Sequence, residues 1–413
     1  MSEAGASNVE NHLEILLREA MSSEDALDRL LEATQYEYKK INDTLGSLNV
    51  LVIGKSGVGK STLLNAVFRE NFARTGSGQA ITQNTTQYSN EGCPLTIYDS
   101  RGIELPNEAD QQTISSLKDD ILRLIEDNKS NPLKRIDVIW YCVNTRGFRF
   151  EQLEEEWVRE LTREGIPVIL VLTQFFGSAD DRKFLKNLKN RRLPIETAIG
   201  VMAAEYDLGV GYPTFPARGL DDLVERTAYC LGGEDSVRQL FVQQQLASID
   251  LKEKEALSCV TRYTALTIPA ATIPTAGIDS VALWGILSTM ISEISSIFGL
   301  SPNKDFINTV VNVLTSAGSS AIATMVVPSL LKLFPTIGTL PAVSIALIAF
   351  PIVAGGVGTA YSKALKAYLS KKVTDESPSD DEEEKLRARF ARAFTRAYQD
   401  YVESRPEFQF QPT

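Results

Sequence analysis

Histidine is almost missing from this sequence: the 413 residues hold one, His12, in a polar segment. Ser-His-Asp triads, His-ligated metal centres and His general bases therefore have almost nothing to draw on. Cysteine is sparse as well. Cys93, Cys142, Cys230 and Cys259 lie far apart without a CxxC pair, which removes a zinc ribbon or a disulfide framework and points to a reducing, cytoplasmic compartment. There is no basic excess, since 42 Lys plus Arg face 53 Asp plus Glu for a net charge of −11. No field of whole-chain origin draws such a protein to phosphate backbones, and no nucleic-acid partner is expected. The opening MSEAGASNVENHLEILL carries Glu3, Glu10 and Glu14 and no basic stretch ahead of an apolar one, so it does not read as a secretory signal. The last scarcity is local. Between Tyr263 and Ser362 the only charged residues are Asp279, Glu293, Lys304, Asp305 and Lys332, against about a quarter of the residues in an average domain.

The length suggests two or three domains, at about 100 to 200 residues each. Residues 1–47 read as an N-terminal helical segment, with Leu13, Leu16, Leu17, Leu27, Leu30, Leu31, Tyr38, Ile41 and Leu45 at helical spacing. Apolar runs at 48–53, 95–98, 136–143 and 167–172 then alternate with helical patterns. Strands and helices in alternation predict an α/β domain over 48–232 with a mostly parallel, buried sheet. Residues 233–374 read as an all-α region, divided by Pro269, Pro274, Pro302, Pro328, Pro335, Pro341 and Pro351 into segments of helical length. The remainder, 375–413, reads as an acidic linker, DESPSDDEEE at 375–384, before an amphipathic helix. That helix carries Leu386, Phe390, Phe394, Tyr398 and Tyr401 on one side and Arg387, Arg389, Arg392 and Arg396 around them.

The chemistry is carried by Gly54-Lys55-Ser56-Gly57-Val58-Gly59-Lys60-Ser61, which fits GxxxxGK followed by Ser or Thr. It stands directly after the strand-like LNVLVI and before the helical STLLNAVFRE, the setting this motif requires. Glycines let backbone N–H groups of the loop, from Gly54 through Ser56, Gly57, Val58 and Gly59 to Thr62, turn toward phosphate oxygens at a helix start. Lys60 would reach the β- and γ-phosphates, and the Ser61 hydroxyl can ligate Mg²⁺. Some forty residues on, LTIYDSRG ends in Asp99-Ser100-Arg101-Gly102. A DxxG at a strand end places a carboxylate near Mg²⁺ and the Gly102 N–H near the γ-phosphate.

With GKSGVGKST and DSRG, the sequence resembles the translation-factor-related GTPases, in particular their Era-like and dynamin-related branches. The resemblance implies a guanine nucleotide, GTP or GDP, with Mg²⁺ held by Ser61, Asp99 and a switch threonine. Thr82 in TGSGQAITQNTT is the best match for that threonine, with Thr85 and Thr86 as alternatives. The family's base-reading motif should follow PVILVL, where Thr173-Gln174-Phe175-Phe176 keeps the threonine, replaces lysine by glutamine and lacks the aspartate. Asp180 and Asp181 could substitute only if the loop bends back, so guanine and adenine both stay open. The fifth motif falls on Met202-Ala203-Ala204, with a backbone contact from Ala203 to the base. Ile103 stands where a water-orienting glutamine occurs in Ras-like relatives, and potassium-activated relatives carry asparagine at the position of Gly57; slow intrinsic hydrolysis follows. Arg101, with Arg74, Arg146 and Arg149, is a candidate charge donor to the γ-phosphate.

Phe306 to Leu331 and Leu333 to Ser362 are 26 and 30 residues without a charge, long enough for a bilayer span. Polar residues interrupt the first and Pro341, Pro351, Gly355, Gly356 and Gly358 the second, and small residues at helix-packing spacing suit either a close-packed soluble bundle or a membrane hairpin. Residues 263–372 resemble the hydrophobic helical tail of the YcjF type behind some bacterial GTPase domains, and the overall order is similar to that of immunity-related GTPases. The resemblance implies a homodimer or nucleotide-dependent homo-oligomer and contact with membrane lipid through the helical regions.

Overall fold

A computed structural model of the chain describes residues 24–68, 79–80, 85–89, 94–100, 111–207, 209, 214–232, 235–271, 278–316, 341–372 and 380–404. They fall into two compact units, Thr44–Leu251 and Met1–Asp43 with Lys252–Thr413. Helix α1 (Glu24–Asp43) opens the described chain and belongs to the second unit.

The first unit is built on seven strands: β1 (Leu48–Gly54), β2 (Gln79–Ala80), β3 (Thr85–Ser89), β4 (Leu95–Ser100), β5 (Val138–Asn144), β6 (Val168–Thr173) and β7 (Thr197–Val201). Their order is β2-β3-β4-β1-β5-β6-β7. The neighbours from β4 to β7 pair in parallel, whereas β3 is antiparallel to β4 and β2 to β3. Every residue of β1 and β6 is buried, as expected of parallel strands covered by helices on both faces. Those helices are α2 (Lys60–Phe68), α3 (Gln111–Asn128), α4 (Gln152–Arg163), α5 (Ala179–Asn190), α6 (Leu220–Cys230) and α7 (Asp235–Gln244). The expected α/β class with a mostly parallel sheet is what the structure has. Strand β3, TTQYS, has no apolar alternation and sits toward the sheet's antiparallel edge, half-buried.

The limit read at 232 moves. Helix α7, which the sequence pattern assigns to the tail, packs on the first unit: Phe241 meets Phe68 edge-on at 6.1 Å, and Phe68 stacks on Trp140 at 5.7 Å. Leu246 N donates to Val67 O at 2.7 Å just beyond it. Apolar contact with the sheet outweighs the GGEDS break that suggested a boundary.

The second unit continues with α8 (Ile249–Ala271), α9 (Ile278–Phe298), α10 (Lys304–Ser316), α11 (Pro341–Lys372) and α12 (Asp380–Glu403). Pro351 does not divide the chain but lies inside α11. Small residues beyond it explain what holds that helix: a Cβ on Gly356 would stand 2.9 Å from Tyr398 Cε2, so α11 and α12 approach closely there. Phe306 stacks on Phe390 at 4.2 Å, and the hydroxyls of Ser295 and Tyr361 share a hydrogen bond of 2.9 Å. The buried Lys252 ammonium donates to Ile297 O in the last turn of α9 at 3.1 Å, where the helix dipole favours a cation. Acidic residues 380–384 are not linker but the first turn of α12, the end at which the dipole favours carboxylates. Leu386, Phe390, Phe394 and Tyr398 are buried and the four arginines exposed, as their spacing predicts. Among the described residues no helix is long and apolar enough to cross a membrane; residues 317–340, which hold more than half of the run from Phe306 to Leu331 and the start of the one from Leu333, lie outside them.

Candidate functional site

The predicted motif residues converge because they sit at carboxyl ends of parallel strands. Register pairs Val52 with Asp99, Gly54 with Cys142, Asn144 with Thr173, and Thr173 with Val201. Strand β1 is joined to β4 on one side and β5 on the other, the topological switch point at which open α/β sheets bind ligands. A cleft of about 490 Å³ at the opposite edge, lined by Ile136, Asp137 and Pro167 among others, holds none of the motif residues.

At the switch point, residues 54–59 turn from β1 into α2. A Cβ on Gly54 would stand 2.5 Å from Cys142 O, so only glycine lets the loop pass β5, and Gly59 adopts φ +97°, open to glycine at no cost. Lys60 is buried, and its Nζ donates to Gly54 O at 2.9 Å and Lys55 O at 3.2 Å. An ammonium has three donors, which leaves one for a phosphate oxygen. Ser61 and Thr62 are exposed on the first turn of α2, Ser56 and Gly57 on the loop, while Val58 is buried beneath it. Lys55 ties the loop to the start of α4, with Nζ 3.0 Å from Glu154 Oε2 and 3.5 Å from Glu151 Oε1. The buried Glu154 also accepts from Glu151 N at 3.0 Å, closing a capping box. Sequence reading missed Glu154; only its place three residues after Glu151 at a helix start signals it.

Asp99 is the last residue but one of β4, opposite Thr86 across the antiparallel pair, with Thr85 opposite Ser100. Asp99 Oδ1, Ser100 Oγ and Thr85 Oγ1 are buried, and none has a hydrogen-bond partner among the described residues. Orphaned oxygens beside a phosphate loop fit a hydrated Mg²⁺, which takes one or two carboxylates and completes its shell with waters and phosphate oxygens. The same habit explains why the described residues hold no cluster of three His, Cys, Asp or Glu side chains. Thr82, Arg101 and Gly102, together with Arg74 and Ile103, lie outside the described residues.

At the far end of the row, Thr173 is buried and its hydroxyl donates to Val143 O at 3.2 Å. A Cβ on Gly59 would come within 4.0 Å of Thr173 Cβ, so this loop borders the phosphate loop. Gln174 is left-handed at φ +53°. Phe175 turns inward, its N donating to Val201 O at 3.1 Å, and Phe176 packs edge-on against Tyr206 and Phe215 at 5.4 and 5.1 Å. Asp181 is not available to a base, because its carboxylate accepts from Ser178 N at 2.9 Å in the capping box of α5. Ala203 follows the backbone pair of Met202 with Arg218 just beyond β7. Arg146, a candidate finger in the sequence, lies 4.6 Å over the Phe176 ring.

Residues 49–174 match the family model described as 50S ribosome-binding GTPase. This stretch runs from β1 to Gln174 and contains the phosphate loop, Asp99 and Thr173. The first unit has the P-loop GTPase fold. It is 31% identical over 118 residues to tRNA modification GTPase MnmE of Malacoplasma penetrans, covering 26% of this chain and 27% of that protein. It is 24% identical over 137 residues to GTPase Der of Campylobacter lari, covering 33% and 27%. The chain thus spans about a quarter of the length of these relatives. Among solved structures it is similar to a probable GTP-binding protein engB, at 18% identity and TM-score 0.33 over 45% of this chain and 100% of that one. It is also similar to Era of Aquifex aeolicus, at 19% identity and TM-score 0.27 over 43% and 54%.

Electrostatics of the GTPase domain follow from burial. Desolvation pushes the Asp99 carboxyl up to about 6, against the opposing pull of the Lys60 ammonium. Desolvation lowers Lys60 while Asp99 holds it up. The fully buried Cys142 thiol, under the loop, is pushed up to about 12 and stays protonated and inert. Lys60 and Asp99 are therefore opposite charges held largely out of water, each partly offsetting the desolvation of the other.

Proposed function

We propose that the chain binds GTP with Mg²⁺ and hydrolyses it, and that nucleotide state controls self-association and contact with membrane lipid through the helical unit. One observation carries the first part: at the sheet's switch point, a phosphate loop crossed by buried Lys60 stands beside an orphaned Asp99 carboxylate oxygen. Phosphoryl transfer needs positioning and charge neutralisation more than covalent help. Lys60 offers its remaining donor to the β- and γ-phosphates, and Ser61, Asp99 and Thr82 are the residues to hold Mg²⁺. When bound, that ion would supply positive charge to the phosphate oxygens. Gly102 offers its N–H to the γ-phosphate.

No water-orienting glutamine follows Gly102, since the next residue is Ile103. Slow turnover by the single chain follows, with Arg101 the residue best placed in sequence to add charge when two copies meet. An arginine supplied in this way is worth about 10³ to 10⁵ in rate. Leu266 and Ile268, each about half exposed (49% and 50%) on α8, support an association surface in the helical unit.

The test is affinity for GTP, GDP and ATP with Mg²⁺ for the full chain and Lys60→Ala. Turnover is then followed across a protein concentration series with and without liposomes. The reading expects Lys60→Ala to lose triphosphate binding and turnover per molecule to rise with concentration or lipid. Equal affinity in both proteins would sink the nucleotide reading. Flat turnover with intact binding would sink only the assembly part.

A further inference from the structure

Two glycines leave the phosphate loop a wide choice of backbone conformation. Gly57 and Gly59 take φ +70° and +97°, values open to glycine without strain and equally easy for it to leave. The backbone bond inside the loop, Val58 N to Lys55 O, is long at 3.4 Å. Yet the direction of the Lys60 ammonium depends on two carbonyls of this loop, Gly54 O at 2.9 Å and Lys55 O at 3.2 Å. Gly54 lies against β5, where a Cβ would meet Cys142 O. Lys55 stands one residue further out, and its carbonyl goes where the residue goes.

The Lys55 side chain reaches from the loop to α4. Its Nζ lies 3.0 Å from Glu154 Oε2 and 3.5 Å from Glu151 Oε1. The Glu154 side chain is 5% exposed and that of Lys55 23%, so water screens this pair far less than a surface ion pair, whose worth is close to nothing. The same Glu154 Oε2 accepts from Glu151 N at 3.0 Å, which fixes the carboxylate at the start of the helix instead of letting it follow the lysine. Behind it, α4 buries Trp157, Val158 and Leu161 in the core beside the sheet. Glu154 is therefore a fixed anchor, and Lys55 the strut between it and the loop.

We propose that Glu154 is a positioning residue of the nucleotide site: through the Lys55 side chain it holds in place the Lys55 carbonyl that orients the Lys60 ammonium toward phosphate. This rests on the nucleotide-binding reading above. Glu154 touches no phosphate in this scheme. It acts at two removes, by its ion pair with Lys55 and by the bond from Lys60 Nζ to Lys55 O. An ammonium whose carbonyl partner shifts loses its direction, and a displacement of about 1 Å in a reacting site can cost up to about a hundredfold.

The experiment is GTP affinity with Mg²⁺ by isothermal titration, with thermal unfolding measured alongside, for the full chain, Glu154→Gln, Lys55→Met, the two combined, Lys55→Arg and Lys60→Ala. Glutamine keeps an oxygen for Glu151 N, as capping boxes allow, and removes only the charge. Each single substitution should weaken GTP binding about tenfold, and the double should be no weaker than either, because both break one link. Stability should follow a different order: Lys55→Met lowest, since it leaves a buried carboxylate without its cation, with the double recovering part of that loss. Lys55→Arg, which can still pair with a carboxylate, should bind GTP within about threefold of wild type. The proposal is overturned if Glu154→Gln binds GTP within about twofold of wild type, if the two losses multiply in the double, or if Lys55→Arg binds no better than Lys55→Met. Affinity that returns in the double together with stability would also overturn it, since that is the mark of a purely structural pair. Lys60→Ala binding GTP as well as wild type would instead overturn the nucleotide reading itself, and no binding by wild type overturns both.

Discussion

Asp99→Asn should make the metal-free protein more stable at neutral pH while disabling its site. The buried Asp99 carboxyl has its ordinary value of 3.8 raised to about 6, mainly by desolvation. Each unit is worth 1.36 kcal/mol, so carrying the charge at neutral pH costs the fold roughly 3 kcal/mol. The sign follows from proton counting. Between about pH 4 and 6 the folded chain keeps a proton that the unfolded chain has lost, so stability falls as pH rises through this window. Above about 6 the full cost is present, and below about 4 none of it.

Asparagine has the same shape and no charge. In the full chain with EDTA, followed by urea unfolding and the fluorescence of the buried Trp140 and Trp157, Asp99→Asn should gain roughly 3 kcal/mol at pH 7.5. The gain should shrink toward zero near pH 4, and taking the difference from wild type cancels the other carboxylates. Adding Mg²⁺ with GTP should reverse the order, because only the carboxylate gains a cation. A substituted chain no more stable than wild type at pH 7.5 without metal would refute the account of Asp99 as a charge stored for its ligand.

Three other substitutions probe the packing that positions the site and the helical unit. Gly54→Ala puts a methyl 2.5 Å from Cys142 O, so GTP affinity should fall at least about tenfold by displacing a loop whose backbone is the binding surface, read by isothermal titration. Lys252→Ala removes a buried ammonium from Ile297 O and should cost about 2 to 4 kcal/mol, whereas Lys252→Met, which keeps the volume, should cost less; thermal unfolding separates them. Gly356→Ala gains about 1 kcal/mol of helix propensity but forces a methyl against the buried Tyr398 at 2.9 Å. Overpacking costs about 1 to 3 kcal/mol, so a net loss is expected in the unfolding transition.

What the chain of letters reveals depends on whether a feature is contiguous. The phosphate loop was legible because its glycines, lysine and serine follow one another between a strand and a helix, and the four apolar runs all became buried parallel strands. Strand β3 was not legible, since TTQYS is polar and its position comes from pairing with β4 near the sheet's edge. Pro351 misled for the opposite reason: a local breaker was overridden by the contacts that Gly356 permits with α12. The acids from 380 to 384 read as solvated linker by charge density, yet at a helix start the same charges are favourable.

The rings around Phe176 show the limit most sharply, because Arg146, Tyr206 and Phe215 reach them from turns distant in sequence. At the loop end Lys60 is held by the carbonyl of Gly54, and a Cβ on Gly54 would meet Cys142 O of β5 at 2.5 Å. That end tolerates almost no substitution. The other end is built of side chains from Arg146, Phe176, Tyr206 and Phe215, carried on turns after β5, β6 and β7. Each turn can change its side chain without moving the sheet, as Phe176 in the aspartate's place illustrates. Thr145 and Thr173 show what does stay tied there: both hydroxyls donate to backbone carbonyls of the neighbouring strand end or loop. The strand ends at this edge are therefore tied together by bonds to the backbone, while the turns beyond them can vary in side chain.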